Sequence, residues 1–239
     1  MNSHLKIGCV SALFLASSLV GARAMDTAPA TPERKCIAIL NASTLGAKDV
    51  EECRAHAQRQ LNVPVRAFEA QTAAVSTALV DSARALLPQK GSNDVFLIAL
   101  IEATNALSSH QAFLPKEGVA VVNVAGLRTN DAVVTSRRVK QMIMRNAAFL
   151  AGLPPTPDPH CATRQYKSLA DLDTMGLNFS PPWQMKFKDE AAKRGLTPVR
   201  TREDIMKLRR EKMNGVTPPA PPAPPAMPAM PVAPATPKP

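Results

Sequence analysis

The sequence contains few of the residues and motifs on which most catalytic sites depend. Only four of its 239 residues are histidines, and the three beyond the N-terminal segment, His56, His110 and His160, are widely separated. They form no evident three-ligand metal set. There is no G-x-S-x-G motif to present a serine nucleophile, and no glycine-rich loop of the kind that binds phosphate. These absences argue against a serine hydrolase and against a nucleotide-binding enzyme.

Cysteine is also scarce. Three of the four cysteines, Cys36, Cys53 and Cys161, lie beyond the N-terminal segment. In an oxidising compartment they allow one disulfide. Cys36 and Cys53 are the candidate pair, because one begins the first predicted strand and the other lies in the helix that follows. The alternative is that Cys36 is buried and unpaired.

The N-terminal segment has the composition of an export signal. Residues 1–24 combine Lys6, an apolar run from Ile7 to Val20 and an Ala-Arg-Ala site, which together predict a secretory signal peptide. The apolar run is too short for a comfortable membrane span. We therefore expect a periplasmic or secreted protein with no stable membrane span, in which residues 25–35 form a linker.

The C-terminal segment is rich in proline. Residues 216–239 contain 11 of the 23 prolines, interleaved with alanine and methionine, so we expect a disordered, extended tail. Met227 and Met230 could instead bind copper through their thioethers, but their Pro-Ala context favours disorder. The predicted folded domain is residues 36–215, which is long enough for one hydrophobic core.

Positive charge is in excess. The formal net charge of +10 falls to +8 when the predicted signal peptide removes Lys6 and Arg23. The excess lies late in the sequence, since residues 183–212 hold ten Lys or Arg against five Asp or Glu. On an exported protein this pattern predicts no nucleic-acid partner. It indicates either a solvated helical surface or an acidic envelope partner.

Hydrophobic periodicity predicts strands and helices that alternate along the first half of the chain. The predicted strands are 36–40, 63–70, 94–103 and 119–124, and the predicted helices are 47–61, 77–87, 168–175, one that begins at Pro181, and 202–213, capped by Thr201. The first six elements have the order β-α-β-α-β-β and precede one long helix. This order predicts a single α/β domain.

The long helix carries the most informative pattern. Between Ser136 and Cys161, apolar residues recur at three- and four-residue spacing, Gly152 ends the helix, and four prolines prevent its continuation. The segment resembles the zinc-binding helix of the archaemetzincins, whose motif is H-E-x-x-H-x-x-G-x-x-H-C. Alignment on Gly152 places Arg145 and Phe149 at the first two histidines and Asn146 at the glutamate.

Other segments resemble the same family in the same order. They are residues 77–87, 94–100, 118–128, 168–173 and 179–183, and the segment 118–128 resembles the family's edge strand. The resemblance covers roughly residues 35 to 190. It implies a zincin-like α/β fold, in which a mixed twisted sheet packs on an active-site helix and the C-terminal part is helical.

The resemblance also implies zinc, but the zinc ligands are missing. Arginine has no lone pair for a metal, phenylalanine offers only carbon, and asparagine cannot accept the proton of a zinc-bound water. His160 and Cys161 remain, although a proline-rich insertion precedes His160. The family's second, structural zinc site begins at Cys161, and its other positions fall on Tyr166, Ser180 and Trp183. We therefore expect neither zinc nor another cofactor.

These observations predict a catalytically degenerate pseudopeptidase that is exported and binds extended peptide or an envelope protein. The resemblance implies a binding cleft in which the edge strand pairs with the main chain of the peptide. Its predicted residues are Arg145, Asn146, Phe149, Val121 and Asn123. Two alternatives remain. One is an active metallopeptidase with an atypical metal site that includes His160, and the other is a structural envelope factor tethered by its tail.

Overall fold

A computed structural model describes residues 34–71, 76, 78–201, 203–204 and 206–207. Its strands are β1 (Cys36–Ala42), β2 (Val65–Glu69), β3 (Asp94–Ile101), β4 (Gln111–Leu114) and β5 (Val119–Asn123). They form one five-stranded sheet in the order β2-β1-β3-β5-β4. The first three strands and β5 are parallel, and β4 is antiparallel to β5.

Helices pack on both faces of the sheet. Helices α1 (Ala47–Leu61) and α4 (Ala132–Leu150) contribute to the core on one face, and α2 (Leu79–Leu86) contributes to the core on the other. The remaining helices are α3 (Val124–Leu127), α5 (Leu169–Thr174) and α6 (Pro181–Lys193), and a short 3-10 turn, Leu87–Gln89, follows α2.

The two central strands explain why the sheet has helices on both faces. Both β1 and β3 are continuous apolar runs buried on each side, which is typical of parallel sheets. Side chains alternate along a strand, so Ile37 and Ile39 pack against α1 and α4, whereas Ala38 and Leu40 pack on the α2 face.

Both ends of α4 have well-defined caps. The Asp131 side chain accepts hydrogen bonds from the backbone N–H groups of Val133 (2.7 Å) and Val134 (3.3 Å). At the other end Gly152 has a φ of 89°, and Leu153 N–H donates to the carbonyl of Ala148 at 2.9 Å. This is the glycine termination that the sequence predicts, and it fixes where the helix stops.

Most predicted elements are confirmed, and α1 has the predicted bounds. The short strand β4 and the short helix α3 were not predicted. Because β4 takes the outer position, β5 lies between β3 and β4. The prediction that the segment around Val119–Asn123 forms the edge strand is therefore wrong.

The predicted signal peptide and C-terminal tail lie outside the described residues. The last predicted helix is described only at residues 203–204 and 206–207, which are helical. Its predicted cap is present, since the Thr201 hydroxyl accepts from Asp204 N–H at 3.2 Å and the Asp204 carboxylate accepts from Thr201 N–H at 2.9 Å. Within the described part of the chain, no helix combines the length and apolarity needed to cross a membrane.

The three described cysteines are free and buried, which corrects the predicted pairing of Cys36 with Cys53. Strand alternation explains the difference. Cys53, on the buried face of α1, packs against Ile37 and Ile39. Cys36 alternates with Ile37 along β1, so its side chain points to the other face of the sheet. The Cys36 thiol donates to Asp94 Oδ1 at 3.3 Å instead. Burial, aided by this hydrogen bond, raises the pKa of Cys36 to about 11.

Candidate functional site

The site at which the archaemetzincin resemblance places zinc is filled by Arg145. This side chain, which belongs to α4, is only 4% exposed. Its guanidinium carbon lies 5.1 Å from the ring centroid of Phe149 and 4.9 Å from that of Tyr166. Nη1 donates to the carbonyl oxygen of Ala162 at 2.9 Å and also to that of Arg164. A fixed cation and the Phe149 ring therefore stand where the motif would have its first two histidines, and the Tyr166 ring lies beside them.

No acidic group neutralises this cation in the described part of the chain. The ion pairs there involve other arginines and lysines. Burial lowers the pKa of Arg145. Tyr166 is not a counter-ion, because burial raises the pKa of its phenol, although Arg145 acts in the opposite direction.

Two residues between β3 and β5, His110 and Phe113, join Arg145, Phe149 and Tyr166 in what we call the Arg145 cluster. His110 Nδ1 lies 3.0 Å from the Tyr166 hydroxyl, and the two rings stack with their centroids 5.8 Å apart. Phe113 of β4 contacts Phe149, with 5.5 Å between ring centroids. Burial, together with the positive charge of Arg138, lowers the pKa of His110, so its imidazole is neutral at pH 7. The sequence pattern did not assign His110 or Phe113 to this site.

Asn146 is directed into its own helix. The side chain is fully buried, and its Nδ2 donates to the carbonyl of Met142, one turn earlier, at 2.9 Å. Its Oδ1 has no hydrogen-bond partner among the described residues. The residue at the position of the catalytic glutamate is thus an amide that cannot act as a base.

Val121 and Asn123 do not line a cleft, which corrects the prediction for both residues. Val121 is buried on the α2 face, opposite Arg145. Asn123 is buried because its amide binds the loop between β3 and β4. It accepts from Ala103 N–H at 3.0 Å and donates to three carbonyl oxygens of that loop, those of Ala103, Ala106 and Ser109.

Instead, β4 presents an unpaired edge next to the Arg145 cluster. Asn123 N–H donates to the carbonyl of His110 at 2.9 Å, which makes these two residues a hydrogen-bonded antiparallel pair. Ala112 and Leu114 therefore bond to β5, and the backbone N–H and C=O groups of Gln111 and Phe113 point away from it. These outward groups have no hydrogen-bond partner in the described part of the chain.

The first remnant of the zinc motifs, His160, lies on the surface. It is exposed, and its backbone N–H donates to Asp158 Oδ1 at 2.9 Å. Within the described residues, no group of three or more His, Cys, Asp or Glu side chains is placed to hold a metal ion.

The remnant of the second zinc site is partly assembled. Cys161 and Ser180 are adjacent, with Ser180 N–H donating to Cys161 Sγ at 3.4 Å. The other two positions are directed elsewhere. Tyr166 covers Arg145, and Trp183 Nε1 donates to the carbonyl of Pro154 at 3.0 Å. The fold thus keeps two of the four positions together, but only one of the two is a metal-binding side chain.

Comparison with known proteins identifies the fold. No protein-family model matches the chain, and no curated protein matches its sequence. A zinc-dependent peptidase from Methanocorpusculum labreanum superimposes with a TM-score of 0.56 at 14% identity, covering 63% of this chain and 99% of the peptidase. The archaemetzincin of Methanopyrus kandleri gives a TM-score of 0.50 at 19% identity, over 67% of this chain and 98% of that one.

A second archaemetzincin, from Archaeoglobus fulgidus and complexed with malonate, gives a TM-score of 0.52 at 19% identity, over 63% of this chain and 99% of its own. This protein has the archaemetzincin fold. The zincin-like α/β fold that the sequence predicts is therefore confirmed. Identities of 14–19% establish the fold alone, so function has to be argued from the residues of the site.

Proposed function

We propose that this archaemetzincin-like protein binds extended peptides and does not cleave them. The observation that carries the proposal is the unpaired edge of β4 beside the Arg145 cluster. A peptide that adds as a further strand would bond to the outward groups of Gln111 and Phe113. The contact between Phe113 and Phe149 places this edge next to α4, so side chains of the peptide would meet the aromatic rings.

The absence of cleavage follows from side-chain chemistry. Peptide hydrolysis by a zincin needs a metal that lowers the pKa of its bound water to about 7, and a base that accepts the proton. Arg145 and Phe149 cannot ligate a metal, and Asn146 cannot accept the proton. Two of the proteins with this fold are described as a zinc-dependent peptidase and an archaemetzincin, and we carry over peptide as the ligand class but not hydrolysis.

An active metallopeptidase with an atypical site at His160 is not favoured. His160 is exposed and would need further ligands, and no suitable group of side chains surrounds it among the described residues. A single imidazole on a loop does not hold a catalytic zinc.

Peptide binding at the β4 edge can be tested with one substitution and a matched control. A peptide is first selected from a random heptapeptide library, and its Kd is measured by calorimetry. Gln111→Pro removes one outward N–H and should weaken binding about tenfold, the value of one good hydrogen bond. Gln111→Ala loses the same side chain but keeps the N–H.

The control should bind within about twofold of the wild type, because the Gln111 side-chain oxygen has no hydrogen-bond partner among the described residues. Proline is tolerated on an edge strand, so the substitution is compatible with the fold. Equal Kd values for the two variants, or no peptide selected above background, would contradict the proposal.

We further propose that the protein acts outside the cytoplasm. The support is the charged start, apolar run and Ala-Arg-Ala site of residues 1–24. Intact-mass measurement of protein from the periplasm or the medium should give a chain that begins at Met25. A chain that keeps Met1, or a protein found only in the cytoplasm, would refute this localisation.

A further inference from the structure

Arg145 is a buried cation without a counter-ion, and the same helix shows how unusual that is. Arg138, two turns earlier on α4, is also buried, but its Nε and Nη2 bond to the Asp173 carboxylate at 2.7 and 2.6 Å. Arg145 has no carboxylate partner within the described residues. An unpaired buried charge is energetically costly, so a buried charged side chain is usually paired with an opposite charge or with a bound ion.

The unused part of the guanidinium has a defined shape. Nη1 is occupied by the carbonyls of Ala162 and Arg164, and the rings of Phe149 and Tyr166 hold the guanidinium in position. Nε has no hydrogen-bond partner although it is buried, and no hydrogen bond is formed by Nη2 in the described part of the chain. These two nitrogens form one edge of the guanidinium, and that edge matches the two oxygens of a carboxylate.

The cluster borders solvent and the open strand edge. Phe149, Tyr166 and His110 are half-buried, and Phe113 of β4 is 39% exposed. Phe113 alternates along β4 with residues on the α2 face, so it and Gln111 share the α4 face with Arg145. A peptide paired with β4 would therefore run beside the Phe149 ring, over which the guanidinium lies.

Building on the proposed function, we propose that Arg145 binds a carboxylate through its Nε and Nη2 atoms, and that in a bound peptide this group is the C-terminal carboxylate. A small free carboxylate would satisfy the same chemistry. The two sources are distinguished by testing a peptide acid, its amide and malonate separately.

Peptide titrations test the assignment of the C-terminal carboxylate. The heptapeptide selected for β4 binding is prepared as the free acid and as the C-terminal amide. The acid should bind at least about tenfold more tightly, the range expected of hydrogen bonds to a charged group. Arg145→Lys keeps the charge but not the two-nitrogen edge, and should reduce this preference to about twofold or less. Arg137→Lys, on the exposed side of the same helix, is the matched control and should keep it.

A measurement on the wild-type protein tests the inference even if Arg145→Lys fails to fold. The Nε–H resonance of Arg145 should shift on addition of the peptide acid, but not of the amide. Equal affinity of acid and amide, with no Nε–H shift, would overturn the inference and leave peptide binding at β4 intact. If neither peptide binds, the proposed function fails. Titration with malonate then tests carboxylate binding by Arg145 on its own. A saturable shift of the Nε–H resonance would support a site for small carboxylates, and the absence of a shift would refute carboxylate binding at Arg145.

Discussion

Protein purified without a histidine tag should contain far less than one zinc per chain, and it should hydrolyse no peptide above a chelator-treated control. Structural zinc sites gain about 10–16 kcal/mol from a full set of ligands at neutral pH. Here two of three ligand positions in the helix motif are Arg145 and Phe149, and the guanidinium adds a positive charge at the site. Elemental analysis combined with a peptidase assay measures both quantities.

Restoring single residues should not restore activity. Asn146→Glu supplies a base but no metal, so it should remain inactive. Arg145→His removes the cation but leaves the carbonyls of Ala162 and Arg164 without their shared donor. Near one zinc per chain in the wild type, with activity lost on chelation and in His160→Ala, would contradict this expectation and support a metallopeptidase.

Local patterns in the sequence were sufficient to predict most of the fold. The apolar runs of β1 and β3 are long enough to identify buried strands, and Gly152 with the prolines after it fixes the end of α4. The sequence contained a signal for β4 as well. Pro115 to Gly118 forms a turn between two short apolar segments, with Gly118 at a φ of 67°, which is typical of a hairpin.

Two of the errors, on β5 as an edge strand and on the surroundings of Arg145, concern information that a local pattern does not contain. Whether β5 is an edge strand depends on β4, only four residues long and not fully buried on either face. The contacts of Arg145 are with carbonyls 17 and 19 residues away in sequence, in a loop whose path no periodicity predicts. The Cys36 error was avoidable, because alternation along β1 separates it from the Ile37 face on which Cys53 packs.

A large loss of stability is expected when the Asp94 carboxylate, at the start of β3, loses its ion-pair partner, because the Asp94 side chain is only 1% exposed. It accepts from Arg66 Nε at 2.7 Å, Arg66 Nη2 at 2.5 Å, Gly91 N–H at 2.7 Å and the Cys36 thiol at 3.3 Å. Burial alone would raise the pKa of Asp94, but these hydrogen bonds and the charge of Arg66 outweigh it and lower the pKa below its usual value.

Arg66→Ala should therefore lower the free energy of unfolding at pH 7 by about 2–3 kcal/mol. Removing one partner of a fully buried ion pair costs about 3–5 kcal/mol, and the smaller value applies because the Arg66 side chain is 45% exposed and partly screened. Arg84→Ala is the matched control. It removes an exposed pair with Asp81, whose side chains are 66% and 56% exposed, and should cost about 0–1 kcal/mol.

The difference in stability between the wild type and Arg66→Ala should depend on pH. In the wild type the folded pKa of Asp94 is below the unfolded value, so its contribution is present above the unfolded pKa of about 3.9 and is lost as pH falls through the folded pKa. Without Arg66, burial should dominate and place the folded pKa of Asp94 above its unfolded value. As the pH falls, the Asp94 carboxylate of the variant is then protonated at a higher pH than that of the wild type, which removes the cost of burying its charge. Urea unfolding at pH 7 and at pH 4 should show the difference between wild type and Arg66→Ala shrinking at the lower pH. A difference that is independent of pH, or no larger than that of Arg84→Ala, would mean that the carboxylate is held by its other donors and not by Arg66.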